Sequence, residues 1–340
     1  MTMPGHKLPG HKRIALAIGE PNGIGPEIAV KAAAALHGRG VDLLLVGDAF
    51  VIRHYARQHA PQLALLPFDA DAGAGFDGPG QHVADVPALP AAAFRPGEIL
   101  ADAGAATVAY VRAAVGLARR GAVDAVIGCP HSETSVQRAG IAFSGYPGLI
   151  AELTSTPEQR VFLLLVSPEL RIGHVTLHER LHDALARITT DLVVDAALAL
   201  IEATRALGIA RPRLGVFGIN PHAGEDGLFG DDDRAVNVPA VARLRALGHA
   251  VDGPAGADVM LSQRRHDVYL AMYHDQGHIP IKLLSPMTAS ALSVGAGVVF
   301  SSVGHGCAFD IAGRGVADPQ AVLRTVRMLA GMDGSTIQQG

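Results

Sequence analysis

The stretch Gly-Glu-Pro-Asn-Gly-Ile-Gly-Pro-Glu at residues 19–27 indicates an α/β fold, because it joins a strand-like run to a helix-like run. The run Ile14 to Ile18 is short and apolar, and Pro26 suits the first turn of a helix. Glycine-rich turns bring backbone N–H groups close to an anion or a cofactor, although a tight structural turn needs the same residues. The glycine spacing differs from a Rossmann fingerprint, so a conventional dinucleotide fold is disfavoured.

The same alternation continues along the chain and predicts a sheet covered by helices on both faces. The predicted strands are Ile14 to Ile18, Leu43 to Val46, Ala125 to Ile127, Val161 to Val166 and Leu214 to Phe217. The predicted helices are Ile28 to Leu36, Ala105 to Arg120, Leu192 to Leu207 and Pro239 to Leu247. The segment Asp69 to Gly97 is rich in Gly, Ala, Asp and Pro, which predicts a long irregular surface segment.

The composition favours a globular protein that binds a small molecule. The chain has 340 residues, 49% of them hydrophobic, which can fill the core of one large or two ordinary domains. The net charge of −4 disfavours nucleic acid and membrane surfaces as partners. The apolar runs are shorter than a signal-peptide core or a membrane span, which predicts a cytoplasmic protein. Cys129 and Cys307 are too few for a disulfide framework, so we expect small buried thiols.

Three histidines, His178, His222 and His274, each follow a strand-like run. Three imidazoles that leave one coordination position open are the ligand set of a catalytic zinc site. Separations this large do not show by themselves that the side chains converge, and the chain has 16 histidines. Two of the three lie among Asn, Asp, Gln and Gly residues, which is typical of functional loops. We therefore expect a divalent metal site at these residues.

Two later features are further candidates for function. Lys282 follows the run Ile279 to Ile281, which we expect to be extended. Such a lysine can reach a substrate carboxylate or act in proton transfer, and the alternative is an ordinary solvated lysine. The stretch Ser302 to Pro319 is dense in glycine and polar residues, which is typical of a binding loop and also of a plain connection between elements.

Together these motifs resemble the 4-hydroxythreonine-4-phosphate dehydrogenase family, over about residues 14–330. The resemblance rests on the stretch at residues 19–27, on Asn-Pro-His-Ala-Gly-Glu from Asn220 and on Tyr-His-Asp-Gln-Gly from Tyr273, in this order. Residues 23–27 and 305–319 also resemble isocitrate and isopropylmalate dehydrogenases. The resemblance implies their two-domain α/β fold with an interdomain cleft. The nucleotide-side domain would comprise residues 1–128 plus 300–340, and the metal, substrate and dimerisation domain residues 129–299.

The resemblance also implies a chemistry, an NAD-dependent oxidation of a β-hydroxy acid with loss of CO2. A divalent metal would be held by His178, His222 and His274, with zinc favoured and magnesium, manganese and cobalt as alternatives. The resemblance further implies a homodimer whose two subunits jointly build each site. Asp275 is the candidate for orienting His274 or for proton transfer, and Lys282 matches the substrate-binding lysine of the family. NAD, with NADP as an alternative, would lie on the late loop, at Gly304, His305, Gly306, Ala308 and Asp310.

Departures from the family pattern bear on the substrate. Glu133 stands where relatives usually carry a lysine, and Gly-Tyr-Pro-Gly at residues 145–148 stands where they carry Gly-His-Thr-Glu. The substrate-contacting Asn and Arg of the family fall on Ala291 and Phe300. Fewer donors and more aromatic surface disfavour a phosphate ester and favour a ring-shaped acid. The candidate substrate-binding residues are Tyr146, Pro147, Lys282, Ala291, Phe300 and Arg138.

Tyr146 and Phe300 would contact the ring, or would simply repack the core, and Arg138 or Lys282 would bind a carboxylate. Residues 129–134, 138–147 and 277–284 are most similar to the terephthalate dihydrodiol dehydrogenase branch. This implies a carboxylated cyclohexadiene cis-diol as substrate and a catechol acid as product, in aromatic compound catabolism. One alternative is a 4-hydroxythreonine-4-phosphate dehydrogenase of pyridoxal phosphate biosynthesis, or an enzyme for a related four-carbon acid phosphate. Another is a catalytically silent ligand-binding homologue, which the complete histidine set disfavours.

Overall fold

The computed structural model describes residues 12–68, 76, 78–143, 145–285, 289–303 and 306–332. Its strands are β1 (Lys12–Ala17), β2 (Val41–Gly47), β3 (Leu65–Pro67), β4 (Gln81–Asp85), β5 (Ala125–Gly128), β6 (Phe162–Val166), β7 (Arg171–His174), β8 (Arg213–Phe217), β9 (Ala250–Ala255), β10 (Val268–Ala271), β11 (Ser290–Val294) and β12 (Phe300–Ser302). Its α-helices are α1 (Gly25–Leu36), α2 (Ala49–His59), α3 (Ala101–Arg119), α4 (Glu133–Arg138), α5 (Tyr146–Thr154), α6 (Leu181–Arg187), α7 (Thr190–Ala206), α8 (Val238–Ala246), α9 (Ala257–Gln263), α10 (His274–Leu284) and α11 (Gln320–Ala330).

The chain divides into two compact units. The first unit contains the described residues of Met1–Leu153 together with Val298–Met332, and the second contains those of Thr154–Gly297. Helix α4 belongs to the first unit because it packs on α3: a Cβ on Gly104 would come within 2.2 Å of the Ser135 carbonyl carbon. The functional domains implied by the resemblance, residues 1–128 plus 300–340 and residues 129–299, stay a prediction.

The first unit is built on strands in the order β3-β4-β2-β1-β5-β12. Every neighbouring pair in this set is parallel. Ile14 and Leu16 of the central strand β1 are buried, and α1, α3 and α11 pack on the strands. The predicted irregular segment between Asp69 and Gly97 contains β4, so that prediction was wrong for these residues. Residues 69–75 and 77 of this segment lie outside the described residues.

The second unit is built on strands in the order β11-β6-β7-β10-β8-β9. Strands β7, β10, β8 and β9 run parallel to one another, whereas β6 pairs antiparallel with both β7 and β11. One hydrophobic cluster in its core includes Ile172, Phe217, Tyr269 and Ile281. Ile281 lies on α10, so this cluster fixes α10 against the strands that precede the three candidate histidines.

The strands and helices predicted from hydrophobic periodicity are confirmed. Each predicted element overlaps an observed one, from β1 and α1 to β8 and α8. The two cysteines are free and buried, as expected. Within the described part of the chain, none of the helices has both the length and the apolar character needed to cross a membrane.

Candidate active site

Three adjacent parallel strands of the second unit each lead into one of the candidate metal ligands. His178 follows β7, His274 follows β10 and His222 follows β8. Because β10 lies between β7 and β8 and all three are parallel, their carboxyl ends meet at one edge of the sheet. Ligands of α/β proteins bind preferentially at this edge. The topology therefore brings all three histidine-bearing segments to the same edge.

Two of the three candidate ligands lie next to each other. The ring centroids of His178 and His274 are 5.2 Å apart. Both rings line a cavity of about 620 Å³ that also includes Leu177, Tyr273 and Asp275. Nδ1 of His274 lies 2.6 Å from Oδ1 of Asp275, which leaves Nε2 of His274 for another ligand. Asp275 thus contacts the residue that the sequence predicted it would orient.

His222 has a different local structure. It lies on the segment Pro221–Gly227, and its φ of 52° puts its backbone in the left-handed region together with Ala223, Glu225 and Asp226. Its ring centroid is 6.0 Å from that of Phe229. Among the described residues, no group of three His, Cys, Asp or Glu side chains lies close enough together to hold a metal. The structure thus brings His178 and His274 together, and His222 shares their sheet edge but not their immediate cluster.

Two further histidines extend the pair into a cluster of four. The rings of His274 and His278 stack with centroids 3.7 Å apart, and Nδ1 of His278 lies 3.1 Å from Nε2 of the buried His174. Burial, reinforced by the neighbouring imidazoles, lowers the pKa of His174 to about 3 and that of His278 to about 4. Both rings are therefore neutral at physiological pH. The close approach requires Gly277, where a Cβ would lie 2.4 Å from Nε2 of His174.

Lys282 lies on α10, so the expectation that residues 279–281 are extended was wrong. Pro280 is inside this helix, and the burial of Ile281 compensates for the hydrogen bond that a proline cannot donate. His274, His278 and Lys282 follow one another at four-residue spacing, which puts them on one face of α10. The exposed Lys282 is near enough to lower the pKa of His278 by charge repulsion, after the larger effect of burial.

In the first unit, the glycine-rich turn at residues 19–27 contacts the segment after β5. The Glu20 N–H donates to the carbonyl of Pro130 over 2.8 Å, and a Cβ on Gly19 would lie 2.4 Å from that same oxygen. Glu20 is completely buried and accepts a hydrogen bond of 2.5 Å from the Ser135 hydroxyl. Burial raises the pKa of the Glu20 carboxyl to about 7, which its hydrogen bonds to Ser135 and Asn22 only partly offset.

An aromatic cluster lies beside this turn. The ring of Tyr146 is 4.3 Å from that of His131 and 5.0 Å from that of Phe300, and Phe143 is 4.9 Å from His131. The Tyr146 hydroxyl donates to the carbonyl of Cys129 over 2.6 Å. Phe300 is fully buried and Tyr146 nearly so. The two residues predicted to meet a substrate ring therefore contact each other within the first unit.

The late loop is attached to α1 by buried charged groups. Lys31 pairs with the buried Glu27 at 2.7 Å and donates to the carbonyls of Gly315 and Ala317 at 2.9 Å each. The Ala317 N–H donates to Glu27, and the Ile24 N–H donates to the carbonyl of Cys307. Burial raises the pKa of the Cys307 thiol to about 12, so it is protonated. Gly306, Ala308 and Asp310 lie on this loop, whereas Gly304 and His305 lie outside the described residues.

The remaining sequence-predicted residues lie at separate places. Arg138 is the exposed last residue of α4 and donates through Nη1 to the carbonyl of Ile99. Pro147 is exposed in the first turn of α5, and Ala291 pairs with Leu165 in the second unit.

The profile of the family described as "Pyridoxal phosphate biosynthetic protein PdxA" matches residues 40–329 of this chain. This chain belongs to the PdxA family. A relative from Comamonas sp, 1,2-dihydroxy-3,5-cyclohexadiene-1,4-dicarboxylate dehydrogenase, is 51% identical over 326 residues, which cover 95% of this chain and 99% of the relative. A D-threonate 4-phosphate dehydrogenase from Cupriavidus necator is 38% identical and covers 92% of this chain and 95% of its own length.

Among solved structures, the chain is similar to a terephthalate 1,2-cis-dihydrodiol dehydrogenase from Burkholderia xenovorans LB400. The identity is 51%, the TM-score is 0.83, and the match covers 94% of this chain and 98% of that one. These PdxA-family relatives are dehydrogenases, so this chain is an oxidoreductase. The resemblance predicted from the sequence motifs is confirmed, as is the mixed α/β fold of the family.

The structure adds site residues that sequence reasoning on this PdxA-family chain did not select. His174 was missed because it lies within β7 itself, and Glu20 because its turn motif was explained by backbone geometry alone. His131 lies within residues 129–134, which carry part of the resemblance, but the sequence pattern assigned it no role. A signal was present for Glu20, because a carboxylate between Gly and Pro in an apolar strand-to-helix turn has little access to water.

Proposed function

We propose that this PdxA-family chain is a metal- and NAD-dependent dehydrogenase that oxidises a carboxylated cis-dihydrodiol, 1,2-dihydroxy-3,5-cyclohexadiene-1,4-dicarboxylate, with loss of CO2. The observation that carries the proposal is the 51% identity, across nearly the whole of both chains, to a relative named for this substrate. Identity to the D-threonate 4-phosphate relative is lower, at 38%. The buried Phe300, where the family pattern has a substrate-contacting Arg, and the buried Tyr146, where relatives carry His, support the same choice.

The donor set fits a divalent metal in its chemistry. His178, His222 and His274 follow three adjacent parallel strands, and His178 and His274 line one cavity. We propose that these three residues hold the metal, for which zinc is favoured because its ligands are neutral imidazoles. Asp275 fixes the ring orientation of His274 through its 2.6 Å contact.

We propose that NAD lies on the late loop, with Gly304, His305, Gly306, Ala308 and Asp310 as its binding residues. Support comes from the buried Glu27–Lys31 pair, which holds the loop at Gly315 and Ala317 and thereby limits its movement. When bound, NAD accepts a hydride and the metal withdraws negative charge from a substrate oxygen.

With NAD as the hydride acceptor, oxidation and loss of CO2 need no other reactant. The hydroxyl at C2 loses its proton as the hydride leaves C2, which makes a β-keto acid with the carboxylate at C1. The C1–CO2 bond then breaks, its electron pair passes to the ketone oxygen, and the ring becomes aromatic as that oxygen regains a proton. Lys282, on the same helical face as His274, is proposed to bind a substrate carboxylate or to carry this proton.

We also propose that the protein is a homodimer with sites shared between subunits. The second unit exposes large apolar side chains at four-residue spacing, Leu181 and Leu185 on α6 and Ile279 and Leu283 on α10. Exposed apolar faces of this kind are typical of subunit interfaces. The molecular mass in solution, measured by light scattering, tests this proposal, and a monomer at micromolar concentration would contradict it.

The function is tested by the absorbance of NADH in the presence of Zn2+ or Mn2+. The dihydrodiol, 4-phosphohydroxythreonine and D-threonate 4-phosphate are compared under identical conditions. Turnover of the dihydrodiol alone supports the proposal. Turnover of a phosphate ester alone would instead assign a phosphorylated substrate, despite the positions occupied by Tyr146 and Phe300.

A further inference from the structure

The backbone around His131 is held on both sides by buried groups of the first unit. Before it, the Cys129 carbonyl accepts from the Tyr146 hydroxyl at 2.6 Å and the Pro130 carbonyl accepts from the Glu20 N–H at 2.8 Å. After it, the Ser132 carbonyl accepts from the Val136 N–H at 3.1 Å. The side chain of His131 therefore starts from a backbone with little freedom to move, which is a common property of ligand-binding residues.

His131 differs from the other aromatic residues of the cluster in having polar atoms that are not already hydrogen-bonded. The Tyr146 hydroxyl is already bonded, and Phe300 is fully buried. His131 packs between Tyr146 and Phe143 but is partly exposed, and neither ring nitrogen has a hydrogen-bond partner among the described residues. Burial lowers the pKa of the imidazole, so the ring is neutral near pH 7 and offers one N–H donor. Of the aromatic cluster, His131 alone combines exposure with an available polar atom.

The cluster gathers positions at which this chain departs from the family pattern. Tyr146 and Phe300 replace polar residues of relatives, and both rings pack in the group that positions His131. The proposed substrate has two carboxylates, of which the one at C1 leaves as CO2. The carboxylate at C4 remains through the reaction and needs its own hydrogen-bond donor, because burying an unpaired carboxylate is costly.

We propose that His131 donates a hydrogen bond to the C4 carboxylate of the substrate and thereby selects a dicarboxylate over a monocarboxylate. This inference rests on the proposed function. Tyr146 acts as a positioning residue for His131, since its hydroxyl holds the preceding carbonyl and its ring packs against the imidazole.

The test combines enzyme variants with substrates that differ only at C4. The substrates are the 1,4-dicarboxylate diol and the same diol without the C4 carboxylate. His131→Phe retains the ring packing but removes the donor, so kcat/KM for the dicarboxylate should fall roughly 10- to 100-fold while that for the monocarboxylate stays the same. His131→Gln retains an N–H donor and should restore part of the preference. His37→Phe, at an exposed histidine of the same unit, is the matched control and should change neither value.

Binding of product separates failure of this inference from failure of the proposed function. The catechol acid and catechol differ only by the carboxylate in question, and calorimetry measures their binding without turnover. Wild type should favour the catechol acid, and His131→Phe should lose that preference while keeping its KM for NAD and its circular dichroism spectrum. An equal loss for both ligands, or an unchanged preference, would overturn the role of His131. If the wild type oxidises no diol but its preference for the catechol acid depends on His131, the proposed reaction is wrong and the carboxylate contact of His131 is still supported.

Discussion

The Ser135 hydroxyl donates to Oε2 of Glu20 over 2.5 Å, and both side chains are completely buried. The other carboxylate oxygen, Oε1, has no hydrogen-bond partner among the described residues. Glu20 therefore holds a charge with incomplete solvation whenever it is ionised, and this has a measurable effect on the stability of the protein.

Glu20→Gln should change how stability depends on pH. Burial raises the pKa of Glu20 from 4.5 to about 7, so the folded state binds a proton that the unfolded state releases. The stabilisation from this group is complete below pH 4.5 and is lost as the pH rises through 7, and the total loss is about 3 kcal/mol. Relative to wild type, the variant should thus be more stable at pH 8 than at pH 5 in urea unfolding. The exposed Glu98→Gln control should show no such difference, and an equal effect of Glu20→Gln at both pH values would refute the assignment.

Gly277→Ala tests the packing of α10 against His174. Within a helix this change ordinarily stabilises by about 1 kcal/mol. Here the new Cβ would lie 2.4 Å from Nε2 of His174, so we expect destabilisation of about 1–3 kcal/mol and weaker zinc binding. Gly116→Ala in α3 is the matched control, because its Cβ would meet nothing nearer than Arg120 Nη1 at 3.5 Å. Calorimetric unfolding should give opposite signs for the two variants, and the same sign would contradict the packing argument.

His222→Ala should abolish turnover and lower metal content without affecting the fold. The side chain is exposed on the segment Pro221–Gly227, so its removal costs little packing. Elemental analysis of the purified protein measures the metal, and circular dichroism checks the fold. The exposed His182→Ala serves as the control and should retain both metal and activity. Normal turnover in His222→Ala would exclude His222 from the metal site.

Lys31→Met should loosen the late loop and destabilise the first unit. The substitution leaves the fully buried Glu27 without its cation and removes the donors to Gly315 and Ala317. Loss of one partner of a buried ion pair costs about 3 kcal/mol, and KM for NAD should rise as the loop gains freedom. Arg57→Met, which removes an exposed positive charge from the same unit, should leave both quantities unchanged. A rise in KM for the diol but not for NAD would contradict the proposal that Lys31 holds a loop that binds NAD.

Most of the fold followed from hydrophobic periodicity, because β1, β2, β5, β6 and β8 are buried apolar runs. Strand β4 was missed because Gln81, His82 and Asp85 make it look like a loop. Its pairing with β2 and β3 and the bond from the Gln81 amide to the Leu43 carbonyl are tertiary effects. The helical state of Pro280 was missed for a related reason, since the burial of Ile281 outweighs the local preference.

The sequence predicted the candidate site residues that directly follow strands. It did not predict the contacts between residues of different, distant elements. His178 and His274 lie next to each other because parallel strands bring their carboxyl ends together, and their role as metal ligands stays a prediction. Sequence spacing gave no sign that His174 lies beneath α10, that Glu20 holds the Pro130 carbonyl, or that Phe300 packs on Tyr146. Each of these contacts joins segments that are far apart in the chain.

The division of the chain into units imposes an order on folding during synthesis. The second unit is one continuous segment, Thr154–Gly297, whereas the first also needs Val298–Met332 to supply β12 and α11. The earlier segment of the first unit therefore leaves the ribosome with the edge of β5 and the apolar face beneath α11 uncovered. Exposed strand edges promote aggregation, so we expect this segment to be more prone to aggregation until β12 arrives than it is afterwards.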